Sequence, residues 1–152
     1  SNAILRNALG GWEASGITRW QTGQYLTVTS NSSIGTRRAD YIGGEIKNDG
    51  NYEPDASRWF NTTAFAQVPD TRRGTSGVGM VLGPGRFLTD LSLRKKFSIT
   101  ERFKLQFQGD MFNVFNQVMW NNPNVSFNNN AFGQINGAAP GRNVQLGLQL
   151  TF

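Results

Sequence analysis

Four stretches of the chain alternate apolar and polar residues with a period of two. The first runs from Gly11 to about Val28, with Trp12, Ala14, Gly16, Thr18 and Trp20 on one parity. Glu13, Ser15, Arg19 and Gln21 take the other, and Ile17 is out of phase. The second, Phe87 to Ser98, sets Phe87, Leu91, Leu93 and Phe97 against Asp90, Ser92, Arg94 and Lys96. In the third, Arg102 to about Phe115, Phe103, Leu105, Phe107 and Met111 oppose Lys104, Gln106, Gln108 and Asp110. The fourth is the most regular: Val144, Leu146, Leu148, Leu150 and Phe152 against Asn143, Gln145, Gly147, Gln149 and Thr151. Successive side chains of a strand point to opposite faces, so each stretch predicts a strand with one apolar and one polar side. At about 10 to 12 residues these exceed the roughly 5 to 6 of an ordinary globular strand. They match the roughly 9 to 11 that a tilted strand needs to cross a bilayer.

The connections differ sharply in length. Ile99, Thr100 and Glu101 make a tight turn between the second and third stretches, whereas Ser30 to Arg86 and Asn116 to Arg142 are long. Short periplasmic turns and long exterior loops are the pattern of an outer-membrane barrel, and loops of this length are usually functional. The expected fold is therefore all-β: antiparallel strands from the C-terminal end of a transmembrane β-barrel, about four long strands with two long loops.

Composition narrows the chemistry. The 152 residues hold no Cys and no His, which removes disulfides, His-dependent triads and His- or Cys-ligated metal sites. A net charge of +5 could suit nucleic acid, but the aromatic residues fall on the opposite face from most of the cations, so no nucleic-acid partner is expected. Asp49 to Asp55 spaces oxygen ligands like a calcium loop, yet Pro54 and Phe60 occupy the places where an EF-hand needs Gly and Glu. The glycines from Gly74 to Gly85 lack the Lys-Ser/Thr of a phosphate loop and read as mobile loop. No carboxylate pair is selected by spacing. No catalytic residue, metal or cofactor is assigned, and the protein is not expected to be an enzyme. Ser1-Asn2-Ala3 reads as the scar of a removed expression tag, with residues 4–152 as the protein proper.

Several motifs carry a resemblance. Gly83-Pro84-Gly85-Arg86, leading into Thr89-Asp90-Leu91-Ser92-Leu93-Arg94-Lys95-Lys96-Phe97, is similar to a stretch near the C-terminus of TonB-dependent outer-membrane receptors. The subgroup is the Oar-like one, which often carries a carboxypeptidase-regulatory-like domain. Glu101-Arg102, Leu105-Gln106-Phe107 and Met111-Phe112-Asn113-Val114-Phe115-Asn116 resemble its penultimate strand. Phe132-Gly133-Gln134-Ile135 and Arg142 to Phe152 resemble its ending, and Trp59-Phe60-Asn61 with Ala64-Phe65 a piece of its long loop. The resemblance implies the last four strands of a barrel of about twenty-two, placed in the bacterial outer membrane. It also implies energised uptake of an unknown ligand, coupled to TonB through an N-terminal region outside these 152 residues.

On that reading, ligand contact falls to loop aromatics and cations: Arg37, Arg38, Tyr41, Tyr52, Arg58, Trp59 and Arg72. Val144, Leu146, Leu148, Leu150 and Phe152 form a C-terminal signal for the barrel-assembly machinery, recognised by strand addition. Trp12 and Trp20 lie about 26 Å apart along one strand face, near the separation of two aromatic girdles. Lys95, on the apolar parity near a strand end, is expected to snorkel to lipid headgroups. The partners are thus outer-membrane lipid, the assembly machinery and TonB. The isolated chain is expected to self-associate, its apolar face covered by another copy or by folded-back loops. The alternative is a soluble secreted β-sandwich that binds glycans, with shorter strands hidden in the first loop, Thr27 to Thr29 and Tyr41 to Ile46 being candidates.

Overall fold

The computed structural model describes residues 9–48, 52–53 and 57–152; Ser1-Asn2-Ala3 and most of Asp49 to Asp55 lie outside them. In chain order the strands are β1 (Trp12–Gln21), β2 (Tyr25–Leu26), β3 (Thr29–Ser32), β4 (Gly35–Arg38) and β5 (Asp40–Tyr41). After a single 3-10 turn at Thr62–Ala64 come β6 (Phe65–Ala66), β7 (Val81–Leu82), β8 (Arg86–Ser98), β9 (Lys104–Phe112) and β10 (Asn143–Thr151). The long strands form one sheet in the order β1-β8-β9-β10, and the short ones pair as β2-β7, β3-β4 and β5-β6. The chain divides into two compact units. Gln21–Arg86 with Met119–Ala139 make a loop unit, and the remainder, which holds the long strands, makes a sheet unit.

In the sheet unit, β9 runs antiparallel to both β8 and β10, and the register sorts the residue types by face. Leu91 opposes Met111, which opposes Val144; Leu93, Gly109 and Leu146 form the next row, and Phe97, Leu105 and Leu150 the last. The intervening rows are polar: Ser92, Asp110 and Gln145, then Lys96, Gln106 and Gln149. Period-two alternation in four adjacent strands has thus built one apolar and one hydrophilic surface. The hydrophilic side is knitted by hydrogen bonds. Asp110 accepts from the Ser92 hydroxyl and from Gln108 Nε2, both at 2.6 Å, and Arg19 lies 3.6 Å from Asp90. The apolar side stays bare: Leu146 and Leu148 are 73% and 72% exposed.

Lys95 departs from expectation. It faces Phe107 across the register but does not snorkel outward; it is only 2% exposed. Its ammonium sits 4.9 Å from the Trp12 ring centre and 4.8 Å from that of Phe97. Two ring faces attract the cation and shield its stem.

β1 also ends earlier than the alternation suggested. The backbone at Gly23 passes so close to Gly83 that a Cβ there would lie 1.7 Å from the Gly83 carbonyl oxygen. That approach breaks the strand and starts a new pairing, Tyr25 with Leu82 and Leu26 with Val81. Val28 consequently lies in the core of the loop unit, fully buried, and not on the sheet. The glycine-rich stretch, expected as mobile loop, is closely approached by neighbouring chain at Gly74 and Gly83.

The loop unit has its own hydrophobic core. Phe60, Phe65 and Phe132 meet edge to face, with ring centres 5.3 to 6.4 Å apart, among Val28, Ala39, Ala64 and Val81. Burying each phenyl ring contributes roughly 1.5–3 kcal/mol, and each ring pair about 0.5–1.5 kcal/mol more. The Trp59-Phe60-Asn61 and Phe132-Gly133 motifs, far apart in sequence, meet here. The Trp59 N–H donates to the Gly133 carbonyl at 2.7 Å, and Asn61 Oδ1 accepts from Thr63 N at 3.1 Å, which caps the 3-10 turn. The short strands anticipated for the sandwich do exist in part, since β3 begins at Thr29 and β5 includes Tyr41. They are isolated pairs of two to four residues, however, and not the two facing sheets of a sandwich.

Candidate functional site

The loop unit holds a cavity of about 750 Å³. Its walls come from Ile46 to Asn48, Tyr52, Ser57 to Phe60 and Met80 to Gly83, which the β2-β7 pairing and the aromatic core hold in place. Tyr52 and Trp59 supply rings; Ile46, Met80, Val81 and Leu82 supply alkyl and thioether surface; Lys47 and Arg58 supply positive charge. Three of the seven anticipated ligand residues, Tyr52, Arg58 and Trp59, are therefore brought together.

Most polar groups around this cavity are already engaged. The Tyr52 hydroxyl accepts from Ile135 N–H at 3.1 Å and donates to the Ile135 carbonyl at 3.4 Å. Trp59 Nε1 donates to the Leu82 carbonyl at 2.7 Å. Asn48 Nδ2 donates to the Arg58 carbonyl, and one Arg58 nitrogen to the Phe132 carbonyl, each at 2.6 Å. The Tyr52 ring centre stands 5.5 Å from that of Trp59 and 5.6 Å from that of Trp120, both near perpendicular. What the lining presents is ring and alkyl surface with two cationic side chains. Neither cation is in an ion pair among the described residues.

The other four candidates lie elsewhere in the unit. Tyr41 packs its ring 6.0 Å from that of Phe65 and donates its hydroxyl to the Gly44 carbonyl at 2.6 Å, a structural role. Arg72 grips Asp40 with both nitrogens, at 2.7 and 2.6 Å. Asp40 also accepts from Thr75 N–H at 3.0 Å and is 6% exposed. The Arg72 guanidinium, opposed only in part by burial, holds the Asp40 carboxyl below its ordinary pKa. The hydrogen bond to Asp40 in turn raises the pKa of Arg72. Asp70 is likewise lowered, first by its hydrogen bonds with the Ser33 hydroxyl and backbone. Arg37 donates to the Arg72 carbonyl at 2.7 Å, and Arg37 and Arg38 border a smaller hollow with Arg73.

Lys47, Met80 and Leu82 escaped sequence reasoning. The short apolar run Met80-Val81-Leu82 inside a glycine-rich segment was the available signal, since an apolar triplet in a solvated loop needs a place to be buried.

Val144, Leu146, Leu148 and Leu150 lie along one face of β10, the edge strand beside β9, and Phe152 follows, 90% exposed. A sheet whose apolar side is this bare belongs where lipid covers it, and whose polar side carries Asp, Gln and Lys belongs against water. Such a sheet is barrel wall. A family model described as an outer membrane beta barrel domain matches residues 1–145. The chain belongs to this outer-membrane β-barrel family, which places it in the bacterial outer membrane. No curated protein and no solved structure matches it.

Proposed function

We propose that the chain is part of a TonB-dependent receptor, in which the sheet unit is barrel wall and the loop unit captures the cargo. The observation that carries this reading is the loop unit itself. Loops that merely connect strands do not need a private core of three phenylalanines, and this one supports a ligand-sized cavity. The resemblance of the Gly83 to Phe97 and Met111 to Asn116 motifs supports the same class. Lipid would meet Leu146 and Leu148, TonB would act through a region beyond these residues, and the assembly machinery would read β10 by adding a strand to its edge. The glycan-binding sandwich loses support from the single long-stranded sheet and from the membrane placement.

The test is capture. Full-length protein extracted from outer membranes should retain the periplasmic domain of TonB on a column, and should cross-link to TonB in energised cells. Failure of both assays overturns the receptor reading and leaves an outer-membrane barrel of another kind.

A further inference from the structure

We propose that the cavity lined by Trp59 and Leu82 takes a ring-bearing apolar ligand with a single anionic group, which Lys47 and Arg58 hold. The inference rests on the reading of the loop unit as the cargo-capturing part. Three observations lead to it. The volume of about 750 Å³ lies within the roughly 300–1,000 Å³ of small-molecule sites. The Tyr52 hydroxyl and the Trp59 indole N–H, the usual handles for sugars, are spent on Ile135 and Leu82. A poly-hydroxylated ligand would therefore lose its water and find few lining donors beyond Lys47 and Arg58 to replace it.

The charge supplies the third observation. Lys47 and Arg58 both border the cavity, and among the described residues one Arg58 nitrogen is committed, to the Phe132 carbonyl. Two cationic side chains bordering an apolar hollow give it a positive field that an anionic group answers. A carboxylate or sulfonate answers that charge, and the planar fork of Arg58 suits either group. Ring edges and faces at Tyr52 and Trp59 then favour a flat body over a branched one.

The probe is 2-naphthoate, titrated calorimetrically into full-length protein in nanodiscs with empty nanodiscs as blank. Binding should saturate and should be at least tenfold tighter than for 2-naphthalenemethanol or maltose. Lys47→Gln, at an exposed position that leaves the core intact, should weaken it roughly tenfold; Leu82→Trp, which fills the hollow, should abolish it. The proposal is overturned if the alcohol or the sugar binds as tightly as naphthoate, if naphthoate does not saturate, or if both variants bind like the parent. The titration contains no TonB, so its outcome is separate from that of the capture assay: either reading can fail while the other stands.

Discussion

Asp40 shows how one residue fastens the loop unit. A carboxylate this buried is tolerable only because Arg72 and Thr75 satisfy it. Arg72→Ala should destabilise the unit by about 1–3 kcal/mol, below the 3–5 kcal/mol of a fully buried pair because half of the arginine side chain is in water. The pH dependence follows from the lowered pKa. Above the unfolded value of 3.8 the contribution is complete, and it drains away as the pH falls through the still lower folded value. In the Arg72→Ala variant burial is opposed by Thr75 alone, so acid unfolding should begin at higher pH; melting curves between pH 3 and 7 (approximate limits set by the linkage window) would show it. Asn113 is the corresponding residue of the sheet unit. It adopts φ 53°, and its side chain bonds both the N–H and the carbonyl of Gln117 at 2.9 Å. Asn113→Ala should cost roughly 2–4 kcal/mol, from left-handed strain and lost hydrogen bonds. Asn113→Gly should recover the backbone part, a difference measurable by thermal unfolding in detergent.

Among the elements, β10 carries the sharpest prediction. It pairs with β9 through nine register positions, and its leucines remain 54% to 73% exposed. In water such a face drives association. The 152-residue chain should sediment as oligomers, and Leu146→Lys with Leu148→Lys should disperse them. In the membrane the same pair should cost about 2–4 kcal/mol for each lysine near the midplane and reduce the folded fraction in outer-membrane preparations. Unchanged sedimentation together with unchanged assembly would contradict the assignment of this face to lipid. The alternation that disclosed β8, β9 and β10 was legible because a sheet with two different solvents on its sides writes period two into the sequence. The end of β1 was not legible, since it depends on the contact of Gly23 with Gly83, some sixty positions away.

At the scale of the whole molecule, the two units answer to different solvents and should fail separately. Phe60→Ala removes the ring that touches both Phe65 and Phe132, and should destabilise the loop unit by about 3–5 kcal/mol. Proteases should then cut within Gln21–Arg86 while the barrel keeps its heat-modifiable migration on gels; simultaneous loss of both would mean that the units are one cooperative block. The candidate site was legible only in part. Tyr52, Arg58 and Trp59 were found as exposed chemistry in a long loop. Arg72 and Tyr41 looked identical by that criterion, yet they are spent on Asp40 and Gly44. Residue type marks what a side chain is able to bind, whereas its partner is decided by chain segments that sequence order does not bring together.

Sequence alone determined the class: strands long enough for a bilayer, two-faced along their length, joined by one tight turn and two long excursions. That information is local, because alternation and turn chemistry are set by neighbours a few residues apart. Tertiary structure alone decided that the excursions fold around Phe60, Phe65 and Phe132, that Lys95 hides between two rings, and that a cavity opens beside Trp59. Those outcomes depend on which distant residues exclude water from one another, and no period in the chain records that choice.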